Sequence, residues 1–197
     1  GGVGDSGILT ALGIWQGIQA CVEYLSGSND LSRVTVGVIG AGKVGGRLIS
    51  HLIEAGGARV IAMDPVASVR ANLSATYPDL VFVDSFAEML NCGLTIISPN
   101  AMGGFITPEL VPQLASAGIS LVCGGANNQL ATPEVGNLLA AAGILYAPDF
   151  MVNCGGVIQV AEELVGANVE RAREQVMQVY PTTLTVLESA AKAGITP

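Results

Sequence analysis

The plainest chemical signal in the chain is Gly40-Ala-Gly-Lys-Val-Gly45, which directly follows a short β-branched run, Val34–Ile39, and opens a helical pattern. Glycines at this spacing between a strand and a helix serve three separate ends. Gly40 permits a tight turn, Gly42 lets the backbone approach a pyrophosphate, and Gly45 lets helix and strand pack closely. The pyrophosphate rests on the helix N-terminus, where backbone N–H groups have no partner. Asp64 stands about 20 residues further on, at the end of the next apolar run and just before Pro65. A carboxylate there accepts hydrogen bonds from ribose hydroxyls and repels a 2′-phosphate. No basic residue adjoins it, so the pattern favours NAD over NADP. The candidate cofactor-binding residues of this part are Gly40, Gly42, Lys43, Val44, Gly45, Asp64 and Pro65. Lys43 reads as a solvated or phosphate-neighbouring side chain rather than a catalytic one.

Three more loops combine glycine with carboxamides: Pro99-Asn-Ala-Met-Gly-Gly104, Gly124-Gly-Ala-Asn-Asn-Gln129 and Asn153-Cys-Gly-Gly156. Each follows a predicted strand and so falls on the sheet edge where ligands bind in open α/β folds. Asn both donates and accepts, which suits a nicotinamide carboxamide or a substrate carboxylate. Any one of these loops alone reads equally well as a turn; three on one edge point to a site. Asp149, after Pro148, reads as a turn or cap residue rather than an acid/base. Glu162-Glu163 reads as a solvated helix face, and His51 as a structural or exposed residue. The four cysteines form no CxxC pair and His51 is the only histidine, so no metal site is expected. The thiols are expected to be reduced and mostly interior, in a cytoplasmic protein.

The elements that position these residues alternate. Strands are expected over Val34–Ile39, Arg59–Met63, Leu80–Val83, Leu94–Ile97, Ile119–Cys123 and Ile144–Ala147, the fourth stopping at Ser98-Pro99. Helices are expected over Thr10–Leu25, after the glycine motif to about Ala55, and over Val66–Thr76, Ser85–Leu90, Pro108–Ala115, Thr132–Ala142 and Gly155–Leu164. A last helical pattern runs from Val169 to Ala193, with Pro181 as a kink or break. The fold class is therefore α/β: a Rossmann-type, doubly wound, mostly parallel sheet with helices on both faces.

Half of the 197 residues are apolar and the net charge is −8. That balance excludes a disordered tail and makes nucleic acid and anionic membranes poor partners. No apolar run is long enough for a transmembrane helix. The chain opens on Gly rather than Met, without a basic, apolar leader, and is read as a piece of a longer protein.

Taken together, these residues resemble the cofactor-binding domain of the Glu/Leu/Phe/Val amino-acid dehydrogenases, and within them the leucine, valine and phenylalanine branch. The matching text comprises Gly1-Gly-Val-Gly-Asp-Ser6 with Thr10-Ala-Leu-Gly13, the Gly40–Gly45 motif, Pro99–Gly104, Gly125-Ala-Asn-Asn-Gln-Leu130, Ile144-Leu-Tyr-Ala-Pro-Asp149 and Asn153-Cys-Gly-Gly-Val-Ile158. The last three, in that order and spacing, are far more specific than the glycine motif. The resemblance implies reversible oxidative deamination of an aliphatic or aromatic L-amino acid by NAD, giving a 2-oxo acid and ammonia. It implies that Thr10 holds the nicotinamide carboxamide and that Asn100 and Ala101 line the nicotinamide ribose. Asn127 or Asn128 contacts nicotinamide and substrate, with Asn153 near the nicotinamide end and the substrate, and Val157 among the apolar residues facing substrate. It further implies one dinucleotide-binding domain over 1–197, with flanking helices over 8–26 and 167–193, whose catalytic lysine pair and aspartate belong to an N-terminal domain absent from this chain. Lys43 and Lys192, the only lysines, match neither motif. Two departures from the family pattern are Asn100, where Cys is usual, and Cys154, where Ala is usual. A homo-oligomer is implied, with the chain's own N-terminal domain and a small amino-acid substrate as partners. The readings set against this one are a dinucleotide-sensing domain without chemistry, which has no need of the Asn/Gly loops, and another NAD-dependent oxidoreductase, whose usual histidine acid/base is missing from the expected place.

Overall fold

The computed structural model describes residues 5–166 and 168–197. The first four residues of the opening motif and Ala167 lie outside them. Six strands form one parallel sheet: β1 (Thr35–Ile39), β2 (Arg59–Met63), β3 (Val81–Phe82), β4 (Ile96–Pro99), β5 (Leu121–Val122) and β6 (Leu145–Tyr146), in the order β3-β2-β1-β4-β5-β6. β1 is the centre, with Gly37 opposite Ile61 on one side and Ile97 on the other. The sheet reverses its direction of growth between β1 and β4, and the resulting crevice at the C-terminal strand ends is where such folds bind ligands. Alternate residues of the strands feed two cores. Val36 and Val38 face one with Leu48 and Ile96, while Ile39, Ile61 and Ile97 face the other. Both faces are covered, which is why the strands read as near-continuous apolar runs.

The helices are α1 (Gly7–Ser26), α2 (Lys43–Ser50), α3 (Ala67–Thr76), α4 (Phe86–Leu90), α5 (Val111–Ser116), α6 (Glu134–Ala141), α7 (Asp149–Val152), α8 (Gly155–Leu164), α9 (Val169–Met177) and α10 (Val179–Ala193). α1 buries 12 of its 20 residues and packs against α2, α8 and α10. No helix among the described residues is long and apolar enough to cross a membrane.

Several expectations are corrected. The break expected between Val169 and Ala193 is present but falls at Gln178 rather than at Pro181, which lies in the first turn of α10, where its missing N–H leaves no bond unmade. β4 does not stop at Ser98 but runs through Pro99. Pro99 has no N–H for the ladder, and Gly124 closes on it so tightly that a Cβ there would stand 2.2 Å from the Pro99 carbonyl oxygen. The expected strands around Leu121 and Leu145 shrink to two residues each, although Cys123 and Ala147 still donate N–H bonds to Ile97 and Val122. α7 was not expected at all. Of the thiols, Cys21 and Cys123 are buried, Cys92 and Cys154 only partly, and all four are free.

The helix after β1 ends in a π-helical turn, His51–Ala55, which brings the His51 ring onto Trp15 at 5.4 Å between centroids. Burial, and secondarily Arg173, lower the His51 pKa from its ordinary 6.5, against a weaker opposing pull from Glu54. The folded state therefore binds fewer protons at His51 than the unfolded state does. Its contribution to stability is present above the unfolded value of 6.5 and is lost as pH falls through that value towards the lower folded one. Melting temperature is expected to fall between neutrality and about pH 5, and His51→Gln to flatten that slope. Equal slopes in the two proteins would refute the assignment.

Candidate functional site

The three glycines of the first motif are required for different physical reasons. Gly40 has φ +85°, a left-handed backbone that side chains disfavour, and a Cβ on it would come within 2.8 Å of the Ala101 Cβ. Gly45 lies against the turn itself: a Cβ there would stand 1.9 Å from the Gly40 carbonyl oxygen. Gly42 is the exception. Beyond its immediate chain neighbours, no atom lies within 4 Å of its missing Cβ. Packing therefore does not explain the glycine at 42, and the space beside it is open to whatever meets the first turn of α2. Lys43 opens that turn and its side chain is exposed, while Val44 is half-buried.

Asp64 closes the second side of the turn. It is 7% exposed. One carboxylate oxygen accepts the Ala41 N–H at 2.8 Å and the other the Val66 N–H at 2.8 Å. A carboxylate has about four acceptor directions. Each oxygen thus keeps one for a ligand hydroxyl while its backbone bond holds the group in place. Pro65 is exposed beside it.

The three carboxamide loops do converge. The pivot is Gly125: a Cβ there would meet Ile14 Cδ1 of α1 at 2.5 Å, Asn100 Oδ1 at 2.9 Å and Val44 Cγ1 of α2 at 3.2 Å. Asn100 ties β4 to this loop. Its Nδ2 donates to the Ser98 carbonyl at 2.9 Å and the Ser98 hydroxyl at 3.0 Å, and its Oδ1 accepts the Gly125 N–H at 2.9 Å. Ala101, next in the chain, is exposed. Asn153, between α7 and α8, donates from Nδ2 to Asn127 Oδ1 at 2.7 Å and to the Gly125 carbonyl at 3.2 Å. Thr10, in the first turns of α1, donates its hydroxyl to the Ser6 carbonyl at 2.9 Å and lies 3.1 Å from where a Cβ on Gly156 would stand. Val157 follows in the first turn of α8 and is 73% exposed.

Asn128 behaves differently from Asn127. It has φ +53°, the only non-glycine in the left-handed region among the described residues. Its N–H donates to Asp149 Oδ2 at 2.5 Å and its carbonyl accepts the Gly104 N–H at 2.7 Å. The Asp149 carboxylate also accepts the Tyr146 hydroxyl at 3.0 Å. Burial above all, with Asp149 close by, pushes the Tyr146 phenol well above its ordinary value, so the hydroxyl stays a donor. Asp149, read from sequence as a turn or cap residue, thus begins α7 and holds the Asn128 loop. Gln129, which closes the second carboxamide loop, had no role of its own in the sequence reading. Fully buried, it donates from Nε2 to the Gly124 carbonyl at 2.7 Å, and nothing in its neighbours' types marked it.

Unlike Asp149, His51 and Glu162 form no hydrogen bond to these loops among the described residues. His51 is at the far end of the helix that begins at Lys43. Glu162 is not solvated as expected: its carboxylate is buried and takes the Arg171 Nε–H at 2.7 Å and the Gln175 amide at 3.0 Å, which joins α8 to α9. The Arg171 hydrogen bond holds its pKa below the ordinary carboxylate value. No cluster of three or more metal-ligating side chains is present among the described residues.

With this geometry in view, likeness to known proteins decides the family. The profile of the Glutamate/Leucine/Phenylalanine/Valine dehydrogenase family matches residues 66–183. The chain belongs to this family. The valine dehydrogenase of Streptomyces albus is 44% identical over 198 residues, covering 100% of the chain and 53% of that protein. The phenylalanine dehydrogenase of Caldalkalibacillus thermarum is 36% identical, covering 99% of the chain and 52% of that protein. The crystal structure of L-tryptophan dehydrogenase from Nostoc punctiforme superimposes with a TM-score of 0.90 at 33% identity, over 98% of the chain and 57% of that structure. As a member of the Glutamate/Leucine/Phenylalanine/Valine dehydrogenase family, the chain spans about half the length of the curated relatives it matches.

Proposed function

We propose that this chain is the dinucleotide-binding half of an L-amino-acid dehydrogenase that uses NAD and reversibly deaminates an aliphatic or aromatic amino acid of the Leu/Val/Phe type to its 2-oxo acid and ammonia. The observation that carries this reading is the meeting of Asn100, Asn153 and, through Asn153, Asn127 at the glycine turn around Gly125, with Thr10 of α1 set against Gly156 just beyond Asn153. A domain that merely bound a nucleotide would need the turn and Asp64 but not this second, carboxamide-lined part. The names of the valine and phenylalanine dehydrogenase relatives support the substrate class.

The residues fit NAD. Gly42 leaves its flank free for a pyrophosphate, and the first-turn N–H groups of α2 hold it without a cationic side chain. Asp64 takes the adenosine ribose hydroxyls through its two remaining acceptor directions. Ala101 and the Asn100 backbone line the nicotinamide ribose, and Thr10 stands at the carboxamide. The bound nicotinamide supplies the hydride-accepting carbon. Asn127, steadied by Asn153, and Asn128 orient substrate against that ring, and Val157 offers an apolar wall. The proton-transferring groups belong to the relatives' other half, here the chain's own N-terminal domain, and the site is the cleft between the halves, whose closure excludes water. We assign the whole protein to the cytoplasm as a homo-oligomer.

The test uses the whole protein that carries this chain. Formation of reduced nicotinamide is followed spectroscopically with each L-amino acid, NAD and NADP in parallel. NAD-dependent turnover with Leu, Val or Phe is expected; NADH binding without turnover of any amino acid would leave only a nucleotide-binding domain. Gly42→Ala gives a sharper check. No packed neighbour resists that methyl, but Gly42 is the N-cap of α2, where Ala is poorer than Gly, so stability should fall by about 1 kcal/mol, while NADH affinity, read by fluorescence titration, falls by at least about tenfold, or ~1.4 kcal/mol. Unchanged affinity would remove the pyrophosphate from this turn.

A further inference from the structure

Asn128 has φ +53°, in the left-handed region that Asn enters more readily than other residues with a side chain but that still needs surrounding groups to select it. Three groups do so here. Gly104 donates its N–H to the Asn128 carbonyl, and Gly103 lies so close beneath that a Cβ there would stand 2.5 Å from the Asn127 carbonyl oxygen and 3.1 Å from that of Asn128. From the other side the Asp149 carboxylate accepts the Asn128 N–H at 2.5 Å. A hydrogen bond to an ionised acceptor is about twice as strong as one between neutral groups. The carboxylate is itself fixed, because Tyr146 Oη–H binds its other oxygen at 3.0 Å and Asp149 begins α7 directly after the buried Pro148. Tyr146 is the last residue of β6, so the chain of contacts starts in the sheet and ends at the loop.

We propose that Asp149, oriented by the Tyr146 hydroxyl, is a positioning residue that clamps Asn128 in its left-handed conformation and so fixes where the Asn128 carboxamide stands at the rim of the cleft. The proposal rests on the dehydrogenase reading above. It separates the two asparagines: Asn127 is held through its side chain by Asn153, Asn128 through its backbone by Asp149, which leaves the Asn128 carboxamide for substrate. Asp149 touches neither cofactor nor substrate in this account; it acts through the loop.

The experiment compares the whole wild-type protein with Asp149→Ala, Asp149→Asn and Tyr146→Phe by three readouts. Hydrogen exchange of the peptide over residues 124–130 is expected to quicken about tenfold in Asp149→Ala. The amino-acid kcat/KM is expected to fall at least about tenfold, mostly through KM, with NADH affinity unchanged. Asp149→Asn can still accept from Asn128 and donate to the Tyr146 oxygen, so it should recover most of both losses; Tyr146→Phe should fall between it and wild type. Exchange that does not change in Asp149→Ala overturns the clamp. Faster exchange with wild-type kinetics overturns its role in positioning, and NADH affinity falling in step with kcat/KM overturns the assignment to the substrate side. Wild-type protein that turns over no amino acid instead removes the underlying dehydrogenase reading, while the exchange arm still reports on the clamp.

Discussion

Gly45→Ala is expected to lower stability by about 3–4 kcal/mol, near the upper end of what overpacking costs. The added methyl would stand 1.9 Å from the Gly40 carbonyl oxygen and 3.0 Å from its carbon. Both are backbone atoms, so no rotamer change relieves the contact. Either α2 backs away from β1 or the turn at Gly40 opens. Gly40 cannot yield freely: its φ of +85° is fixed on one side by its N–H bond to the Met63 carbonyl at 2.8 Å and on the other by Ala101. The first turn of α2 would therefore shift by more than an ångström relative to the sheet. For a chain of this size the expected loss corresponds to a melting temperature roughly 10 °C lower. NADH affinity should fall with it, because the same N–H groups move. The contrast is with Gly42→Ala, which should lose affinity for only about 1 kcal/mol of stability, the cost of a poorer N-cap. If Gly45→Ala melted within about 2 °C of wild type, the close helix–strand contact described here would be wrong.

That contrast also shows where the sequence was legible. The roles of Gly40 and Gly45 follow from spacing alone, since a strand, a tight turn and a helix in so few residues leave only one geometry. The parallel, doubly wound sheet was legible for a similar reason: apolar runs alternating with helical periods admit few arrangements. What remained hidden depends on contacts between segments distant in the chain. Pro99 looked like a stop, because its tolerance inside β4 is conferred by Gly124, a residue in another loop. Asp149 looked like a cap, because its partners are the backbone of Asn128 and a phenol on the preceding strand end. Glu162 looked solvated, because Arg171 and Gln175 come from the next helix. α7 is a single turn, too short for any periodicity to register. The convergence of Asn100, Asn127 and Asn153 was expected only as three loops on one edge; that two of them bond one another through their side chains, and the third through the Gly125 backbone, is visible only in the fold.

Asp64→Ala carries the second large effect. Its two oxygens each serve one backbone donor, so truncation leaves the N–H groups of Ala41 and Val66 without their partner. The Ala41 bond is buried, and an orphaned buried donor costs about 1–3 kcal/mol. The Val66 bond is only partly buried, and water can replace it at lower cost. A net loss of about 2–3 kcal/mol is expected, measured by urea denaturation. Asp64→Asn is the more informative variant. Its amide matches one backbone N–H with an oxygen but turns an NH₂ towards the other, so it does not restore stability and should cost about 1–2 kcal/mol. It does remove the negative charge that faces a ribose 2′-phosphate. The affinity ratio of NADPH to NADH is therefore expected to rise about tenfold, or ~1.4 kcal/mol, with most of the change on the NADPH side. Stability and selectivity thus separate. A carboxylate that only braced the turn would give the loss of stability in both variants and leave the ratio where it was. A carboxylate that also reads the ribose must move the ratio in Asp64→Asn, and its failure to move would confine Asp64 to the scaffold.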